Sequence, residues 1–330
     1  MHLFAAPDDG LVRFWEVRTW KEQRTWKAST PLGLVYSPDS RTLAAASVEG
    51  IRLYEVATGR ERAHIRCKGY PEGNLQFSPA GRWLAWSSSP VAQRQEKRLR
   101  WPPNRTIGTI FVWDIHRGEM LGSFTGHDDT ITGLVFTADD RALVSASADS
   151  TMLVWDIARV ATKKPTLKAG NVETAWRTLL GDDARAAYEA IRALASSPDG
   201  AVELLARHLK PAALIDAKRI AASLGDLDSD EFEVRQRATR DLEQMGDRVV
   251  PALERCLAGR PSPEVRKRVE QILEKALAPN PQRLRQSRAL EALERMGCDG
   301  TRRLIEALAK GDADARLTRD AKAALMRMRR

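Results

Sequence analysis

Residues 122–157 read GSFTGHDDTITGLVFTADDRALVSASADSTMLVWDI, and their pattern recurs in the first half of the chain. The apolar run Leu134-Val135-Phe136 leads into a turn, and the run Leu143-Val144-Ser145 follows that turn. A third short run ends in the pair Trp155-Asp156. Short apolar and β-branched runs separated by turn-forming residues are typical of β strands. The stretch therefore predicts a small β unit.

The same pattern recurs upstream of this unit. Ser37-Pro38-Asp39 and Ser78-Pro79-Ala80 occupy the place of Thr137-Ala138-Asp139. The third strands end in an aromatic–acid pair at Trp15-Glu16, Tyr54-Glu55, Trp113-Asp114 and Trp155-Asp156. These pairs are 39, 59 and 42 residues apart, and an insertion of about 20 residues near 89–108 accounts for the longer spacing. A period of roughly 40–45 residues with several short strands is typical of a propeller blade.

The unit at 122–157 resembles a WD repeat. Gly126-His127 precedes its first strand, Asp149 lies in the turn before its third strand, and Trp155-Asp156 ends that strand. In this family a His, a Ser or Thr, an Asp and a Trp form a structural hydrogen-bonded tetrad. The resemblance assigns these roles to His127, Ser145, Asp149 and Trp155. It implies a partial β-propeller of about four WD-repeat blades, the first of which lacks its opening strand.

The composition changes near residue 160. Eight of the nine tryptophans precede residue 156, whereas the second half is rich in Ala, Leu, Arg and Glu, which favour helices. The run Ala161-Thr162-Lys163-Lys164-Pro165 interrupts regular structure. We predict an all-β domain at 1–160, a linker at 161–171 and a separate all-α domain at 172–330.

The second half contains an internal repeat of 51 residues. Leu242-Glu243-Gln244-Met245-Gly246 recurs as Leu293-Glu294-Arg295-Met296-Gly297, and Arg237-Ala238 recurs as Arg288-Ala289. Gly246 and Gly297 stand where helix C-caps belong. The repeat predicts two three-helix units, at 231–245, 247–258 and 262–277, and at 282–296, 300–310 and 313–328.

The paired motifs Val234-Arg235 and Val265-Arg266 resemble HEAT-type repeats. That family stacks helices into an α-solenoid that binds other proteins. An ordinary helical bundle is the alternative. WD-repeat blades followed by such helices also resemble a group of planctomycete-type bacterial proteins, in which the propeller follows another domain.

The number of blades leaves three alternatives open. A seven-bladed ring needs on the order of 290 residues at ~42 residues per blade, and the resemblance covers 2–157. The chain is then the C-terminal part of a larger protein, or a partner closes the propeller, including a second copy by self-association. The third alternative is a small or open propeller.

Composition and motifs restrict the function. The three cysteines are too scattered for a disulfide framework, so we expect a cytoplasmic protein. No apolar run reaches the ~18 residues of a membrane span, and we expect no membrane partner. No phosphate-binding loop, nucleophile elbow or HExxH pair occurs. Asp230 with Glu233 predicts a helix N-cap rather than a calcium loop. We predict a non-catalytic protein–protein interaction scaffold without cofactor or metal.

Nucleic-acid or polyanion binding is the alternative function. The net charge is +9, and the last 80 residues carry 19 Lys and Arg against 11 Asp and Glu. The insertion at 89–108 contains the cations and the aromatic residue that could hold phosphates and stack a base: Arg94, Lys97, Arg98, Arg100, Trp101 and Arg105. A solvated hairpin tip and solvated helix faces are the structural interpretation of the same residues.

Overall fold

The computed structural model describes residues 2–5, 11–16, 20–27, 31–67, 69–89, 108–159 and 171–328. These residues form two compact units. The first contains every described β strand together with residues 181–192, and the second contains residues 171–180 and 193–328. Residues 161–170 of the predicted linker lie outside the described residues.

The described residues of the first unit form four antiparallel sheets. Sheet 1 is formed by β1 (His2–Ala5), β2 (Leu11–Glu16) and β3 (Glu22–Lys27). Sheet 2 is formed by β4 (Gly33–Tyr36), β5 (Thr42–Ser47), β6 (Gly50–Glu55) and β7 (Glu61–Ile65). Sheet 3 is formed by β8 (Tyr70–Phe77), β9 (Trp83–Ser89), β10 (Thr109–Asp114) and β11 (Glu119–Thr125). Sheet 4 is formed by β12 (Ile131–Phe136), β13 (Ala142–Ser147) and β14 (Met152–Asp156).

The remaining described chain is helical. The helices are α1 (Val172–Thr178), α2 (Ala184–Ala195), α3 (Pro198–His208), α4 (Ala217–Asp226), α5 (Phe232–Met245), α6 (Val250–Ala258), α7 (Pro263–Leu277), α8 (Pro281–Met296), α9 (Asp299–Leu308) and α10 (Arg316–Arg327). The predicted order of β sheets followed by HEAT-like helices is confirmed. The six helices of the 51-residue repeat begin and end within a few residues of their predicted bounds.

Each sheet packs face to face on the next, because successive side chains of a strand point to opposite faces. Val12 and Phe14 of sheet 1 pack against Leu43, Ala45 and Tyr54 of sheet 2. The other face of sheet 2 packs on sheet 3 through a cluster that includes Ile51, Leu53, Leu84 and Trp86. Sheet 3 packs on sheet 4 in the same way, through Ile110, Val112, Phe136 and Leu143.

The sheets differ among themselves in strand number, and one helix cap differs from the sequence expectation. Sheets 2 and 3 have four strands, whereas β14 is the last described strand of sheet 4. The predicted N-cap at Asp230 is wrong. Helix α5 has Glu231 at its N-cap, without a side-chain hydrogen bond, and the Glu231 amide donates to Ser229 Oγ. Asp230 thus lies one residue before the N-cap position, because the helix begins one residue later than the sequence predicted.

The two copies of the 51-residue repeat end their first helix alike but differ in one arginine. Gly246 and Gly297 both have positive φ, 68° and 62°, and cap α5 and α8 as predicted. Arg288 is buried in α8, and its Nη1 donates to the Leu179 carbonyl oxygen at 2.7 Å. Its counterpart Arg237 is exposed on α5. Arg288 thus stabilises the C-terminal end of α1.

Sheets 2 and 3 approach each other closely at two glycines. A Cβ atom added to Gly33 would lie 2.2 Å from the Gly73 carbonyl oxygen, and one added to Gly73 would lie 2.5 Å from the Leu32 carbonyl oxygen. Gly133 occupies the position of Gly33 in sheet 4, and an added Cβ there would meet nothing within 4 Å.

This difference gives a matched pair of substitutions. Gly33→Ala should lower the free energy of unfolding by about 2–3 kcal/mol, because the new methyl group collides with backbone that cannot rotate away. Gly133→Ala should change it by less than about 0.5 kcal/mol. Urea denaturation of both variants measures these values, and equal destabilisation would contradict the proposed close approach.

Candidate interaction surfaces

The four residues assigned to the tetrad lie together in sheet 4. Trp155 Nε1 donates to Ser145 Oγ at 2.8 Å, and Ser145 Oγ lies 2.7 Å from His127 Nε2. His127 Nδ1 lies 3.0 Å from Asp149 Oδ2 and 3.0 Å from Thr151 Oγ1. If Nδ1 carries the imidazole hydrogen, every donor in this series has an acceptor. The series connects β13 and β14 to the segment before β12, which is a structural role.

Asp149 is the anionic end of this hydrogen-bonded series. Its carboxylate accepts hydrogen bonds from the Thr151 hydroxyl at 2.6 Å, from the Thr151 amide at 2.8 Å and from the Asp128 amide at 2.9 Å. The Thr151 hydroxyl, followed by these amides and His127, holds the pKa of Asp149 well below its usual range. The carboxylate is therefore the form that stabilises the turn.

The turns of the sheets form two rims. The helix-side rim consists of the turns between first and second strands and between third and fourth strands, at residues 37–41, 56–60, 78–82, 115–118 and 137–141. Two acidic residues are buried there. Glu55 pairs with the buried Arg62, Oε1 to Nη2 at 3.1 Å, and Asp114 accepts from the amides of His116 and Arg117.

Residues 181–192 bind to this rim. The buried Tyr188 donates its hydroxyl hydrogen to the Ile115 carbonyl oxygen at 3.0 Å, and the Arg62 guanidinium lies 5.5 Å from the centre of its ring. Arg185 forms an ion pair with Glu61. Arg192 Nε donates to the His116 carbonyl oxygen at 3.4 Å. A helical segment of the chain therefore occupies the rim of sheets 2 and 3.

This bound helix was not among the sequence predictions. Tyr188 is the only tyrosine after residue 70, and Arg185, Tyr188 and Arg192 follow each other at i, i+3 and i+7 on one helix face. That spacing was the available signal. It does not identify a binding surface 73 residues earlier in the chain, because carbonyl oxygens in turns have no sequence signature.

The opposite, insertion-side rim includes the turn at residues 48–49, the segment at 126–130 and the turn at 148–151. The insertion lies between β9 and β10, which pair directly, with Thr109 opposite Ser88. Its candidate phosphate-binding residues are Arg94, Lys97, Arg98, Arg100, Trp101 and Arg105, and all of them lie outside the described residues.

Acidic residues balance part of the positive charge of the helices at the end of the chain. Several of their cations form ion pairs: Arg266 with Glu270, Arg268 with Glu264, Lys275 with Glu243, Arg283 with Asp247, Arg295 with Glu291, Arg316 with Asp320 and Arg327 with Glu294. Arg302 and Lys310 line a shallow groove of about 350 Å³ together with Glu306 and Leu325. These ion pairs balance part of the charge, and the last 80 residues keep an excess of Lys and Arg over Asp and Glu.

The described residues contain no cluster of three or more His, Cys, Asp or Glu side chains arranged to hold a metal ion. None of the described helices has the length and apolar character needed to cross a bilayer.

The low pKa of Asp149 predicts a pH dependence. Because its folded-state pKa lies below the unfolded value of about 3.9, the carboxylate stabilises the fold above that pH, and the contribution disappears as the pH falls through the folded-state pKa. Asp149→Asn should reduce the melting temperature at pH 6, and the difference from the unmodified chain should shrink below about pH 4. Substitution of the exposed Asp156 by Asn is the control. If the melting-temperature difference caused by Asp149→Asn did not depend on pH, the stabilising role of the Asp149 carboxylate would be contradicted.

The Tyr188 hydroxyl gives a second prediction. Tyr188→Phe removes its hydrogen bond to the Ile115 carbonyl oxygen and should cost about 1 kcal/mol of unfolding free energy. Hydrogen exchange should also accelerate at the amides of residues 184–192 before it does in β10. Unchanged exchange in this helix would mean that Tyr188 does not hold it on the rim.

Comparisons with protein families agree with this architecture. Residues 118–156 match the family model described as WD domain, G-beta repeat. Residues 234–259 match the model described as PBS lyase HEAT-like repeat. The first match covers β11, all three described strands of sheet 4 and the tetrad, and the second covers most of α5 and all of α6.

Curated relatives match about half of the chain. Nuclear distribution protein PAC1-2 of Uncinocarpus reesii is 27% identical over 50% of this chain and 38% of its own length. Target of rapamycin complex subunit wat1 of Schizosaccharomyces pombe is 26% identical over 47% of this chain and 45% of its own length. Guanine nucleotide-binding protein subunit beta of Saccharomyces cerevisiae is 26% identical over 47% and 32%. The chain spans less than half the length of each of these relatives.

Among solved structures, the computationally designed Ika8 protein matches with a TM-score of 0.36 and 23% identity over 47% of this chain and 42% of its own length.

The two family matches fall in different units of the molecule. The chain therefore combines sheets of the WD-repeat type with helices of the HEAT-like type.

Proposed function

We propose that this chain is a non-catalytic scaffold that holds other proteins on its insertion-side rim. The observation that carries the proposal is the helix bound to the opposite rim. Carbonyl oxygens of turns, a glutamate and an arginine recognise Tyr188, Arg185 and Arg192 of a helical segment. The sheets are thus suited to bind polypeptide by their rims, and one rim is already filled.

The polar groups buried in the sheets support a binding role rather than catalysis. Glu55 and Arg62 satisfy each other beneath the bound helix, and His127 and Ser145 are committed to the tetrad. A catalytic group needs access to a substrate and a pKa matched to its task. These four side chains are instead enclosed by structural hydrogen bonds.

The names of the relatives support the same role. Two of them are called subunits, one of a target of rapamycin complex and one of a guanine nucleotide-binding protein. Repeated HEAT-like helices also build surfaces that bind proteins. By analogy, we assign this chain to complexes with other proteins, whose identity the relatives do not specify.

No observation favours the polyanion alternative. Affinity for nucleic acid depends on cations that neutralise phosphates. Several cations of the final helices are paired with acids of the same unit, which reduces the charge that they offer to phosphates. Substitution of Arg98, Arg100 and Arg105 by neutral residues tests the polyanion alternative at the insertion. Polyanion binding that is unchanged in this variant would exclude the insertion as the binding site.

Site-specific photo-crosslinking tests the proposal. A photoreactive amino acid replaces Val48, whose side chain is 54% exposed on the insertion-side rim. The matched control replaces Ala57 in the turn after β6, on the rim that carries the helix. We expect protein adducts from position 48 in the source cells, and chiefly internal crosslinks from position 57. Equal adducts from both positions would contradict the assignment of the rim, and nucleic-acid adducts at position 48 would support the polyanion alternative.

A further inference from the structure

In sheets 2, 3 and 4, the second and third strands pair in the same register. In sheets 2 and 3, the face formed by the same register positions packs on the following sheet. In sheet 2, Ala44 pairs with Leu53 and Ala46 pairs with Ile51. These four side chains pack on sheet 3. In sheet 3, Ala85 pairs with Val112, and both pack on sheet 4. A face of small aliphatic side chains thus packs twice against the following sheet.

The same register positions of sheet 4 are uncovered. Val144 pairs with Val154, and Ala146 pairs with Met152. Met152 is 71% exposed, Val154 is 70% exposed, and Val135 on the neighbouring strand is 54% exposed. Gly133, at the position where Gly33 touches the backbone of sheet 3, faces open space. Within the described residues, sheet 4 therefore presents an interface of the repeated type with nothing packed on it.

Sheet 1 presents the opposite type of face. An aromatic residue of the third strand stands opposite a leucine at Tyr54–Leu43, Trp113–Leu84 and Trp155–Leu143, and it packs toward the preceding sheet in each case. In sheet 1 this position is Trp15, opposite Leu3. Val12 and Phe14 face sheet 2, so Trp15 points to the other side of sheet 1.

We propose that sheet 4 of one copy packs on sheet 1 of a second copy, head to tail. The uncovered aliphatic face then meets an aromatic face, as it does at the interfaces between sheets 2 and 3 and between sheets 3 and 4. Contact between two sheet 4 faces would lack the aromatic partner, which argues against a dimer in which sheet 4 packs on sheet 4. Two identical head-to-tail contacts close a two-copy ring. This inference is independent of the proposed function, because it concerns faces of the sheets and not their rims.

Complementary charges test the pairing. Val154→Lys and Trp15→Glu place opposite charges on the two faces that would meet. The unmodified chain should have twice the mass of 36.8 kDa by light scattering at micromolar concentration, and each variant alone should be a monomer. A mixture of the two variants should restore the dimer, because one contact is then unmodified and the other contains Lys opposite Glu.

A control variant separates this effect from a general one. Leu214→Lys alters an equally exposed apolar residue, 81% exposed, in the helical unit, and should leave the dimer intact. Circular dichroism verifies that each variant is folded. A monomeric unmodified chain would mean that another protein or another sheet covers sheet 4, and would overturn the proposal. So would a dimer that survives Val154→Lys, an open polymer, or variants that fail to reassemble when mixed.

Discussion

A β sheet with apolar side chains on both faces has to be covered on both sides, and this requirement governs the first unit. Every residue of β5 is buried, because sheet 2 lies between sheets 1 and 3. In β14, at the other extreme, exposed and half-buried residues alternate. The stability of each sheet is therefore supplied mainly by its neighbours, and no single sheet of this unit has a core of its own.

The same stacking brings charged groups into the interior of the helix-side rim. Glu55 and Asp114 end the third strands of sheets 2 and 3 and are buried, whereas Asp156 ends the third strand of sheet 4 and is exposed. A buried carboxylate is tolerated only with partners that replace its hydration. Arg62 supplies them for Glu55, and the backbone amides of His116 and Arg117 supply them for Asp114. Tyr188 then shields Arg62 from water, so rim and helix stabilise each other.

Elements that recur along the chain were predictable from the sequence, whereas contacts between residues distant in the sequence were not. The aromatic–acid pairs located the third strands, and the 51-residue repeat located six helices, because both reflect local geometry that recurs. The four tetrad positions came from a family pattern and lie within hydrogen-bonding distance in sheet 4. The position of the helix at 181–192 depends on the Ile115 and His116 carbonyl oxygens, which any residue supplies. Asp230 is not the cap because α5 begins one residue later, with Glu231 at its N-cap, and sequence patterns define helix ends less sharply than helix interiors.

The arginine that distinguishes the two helical repeats has a consequence for how this chain can vary. Arg288 supports the end of α1, whereas its counterpart Arg237 is exposed on its helix. The two copies are therefore no longer interchangeable, although they keep the same length and the same glycine caps. Recombination that replaces the second copy with the first can preserve the leucine core, but Arg288 must be retained for α1 to keep its support. A copy of α5–α7 in place of α8–α10 would therefore need an arginine buried at the position of Arg288 to bind the Leu179 carbonyl oxygen.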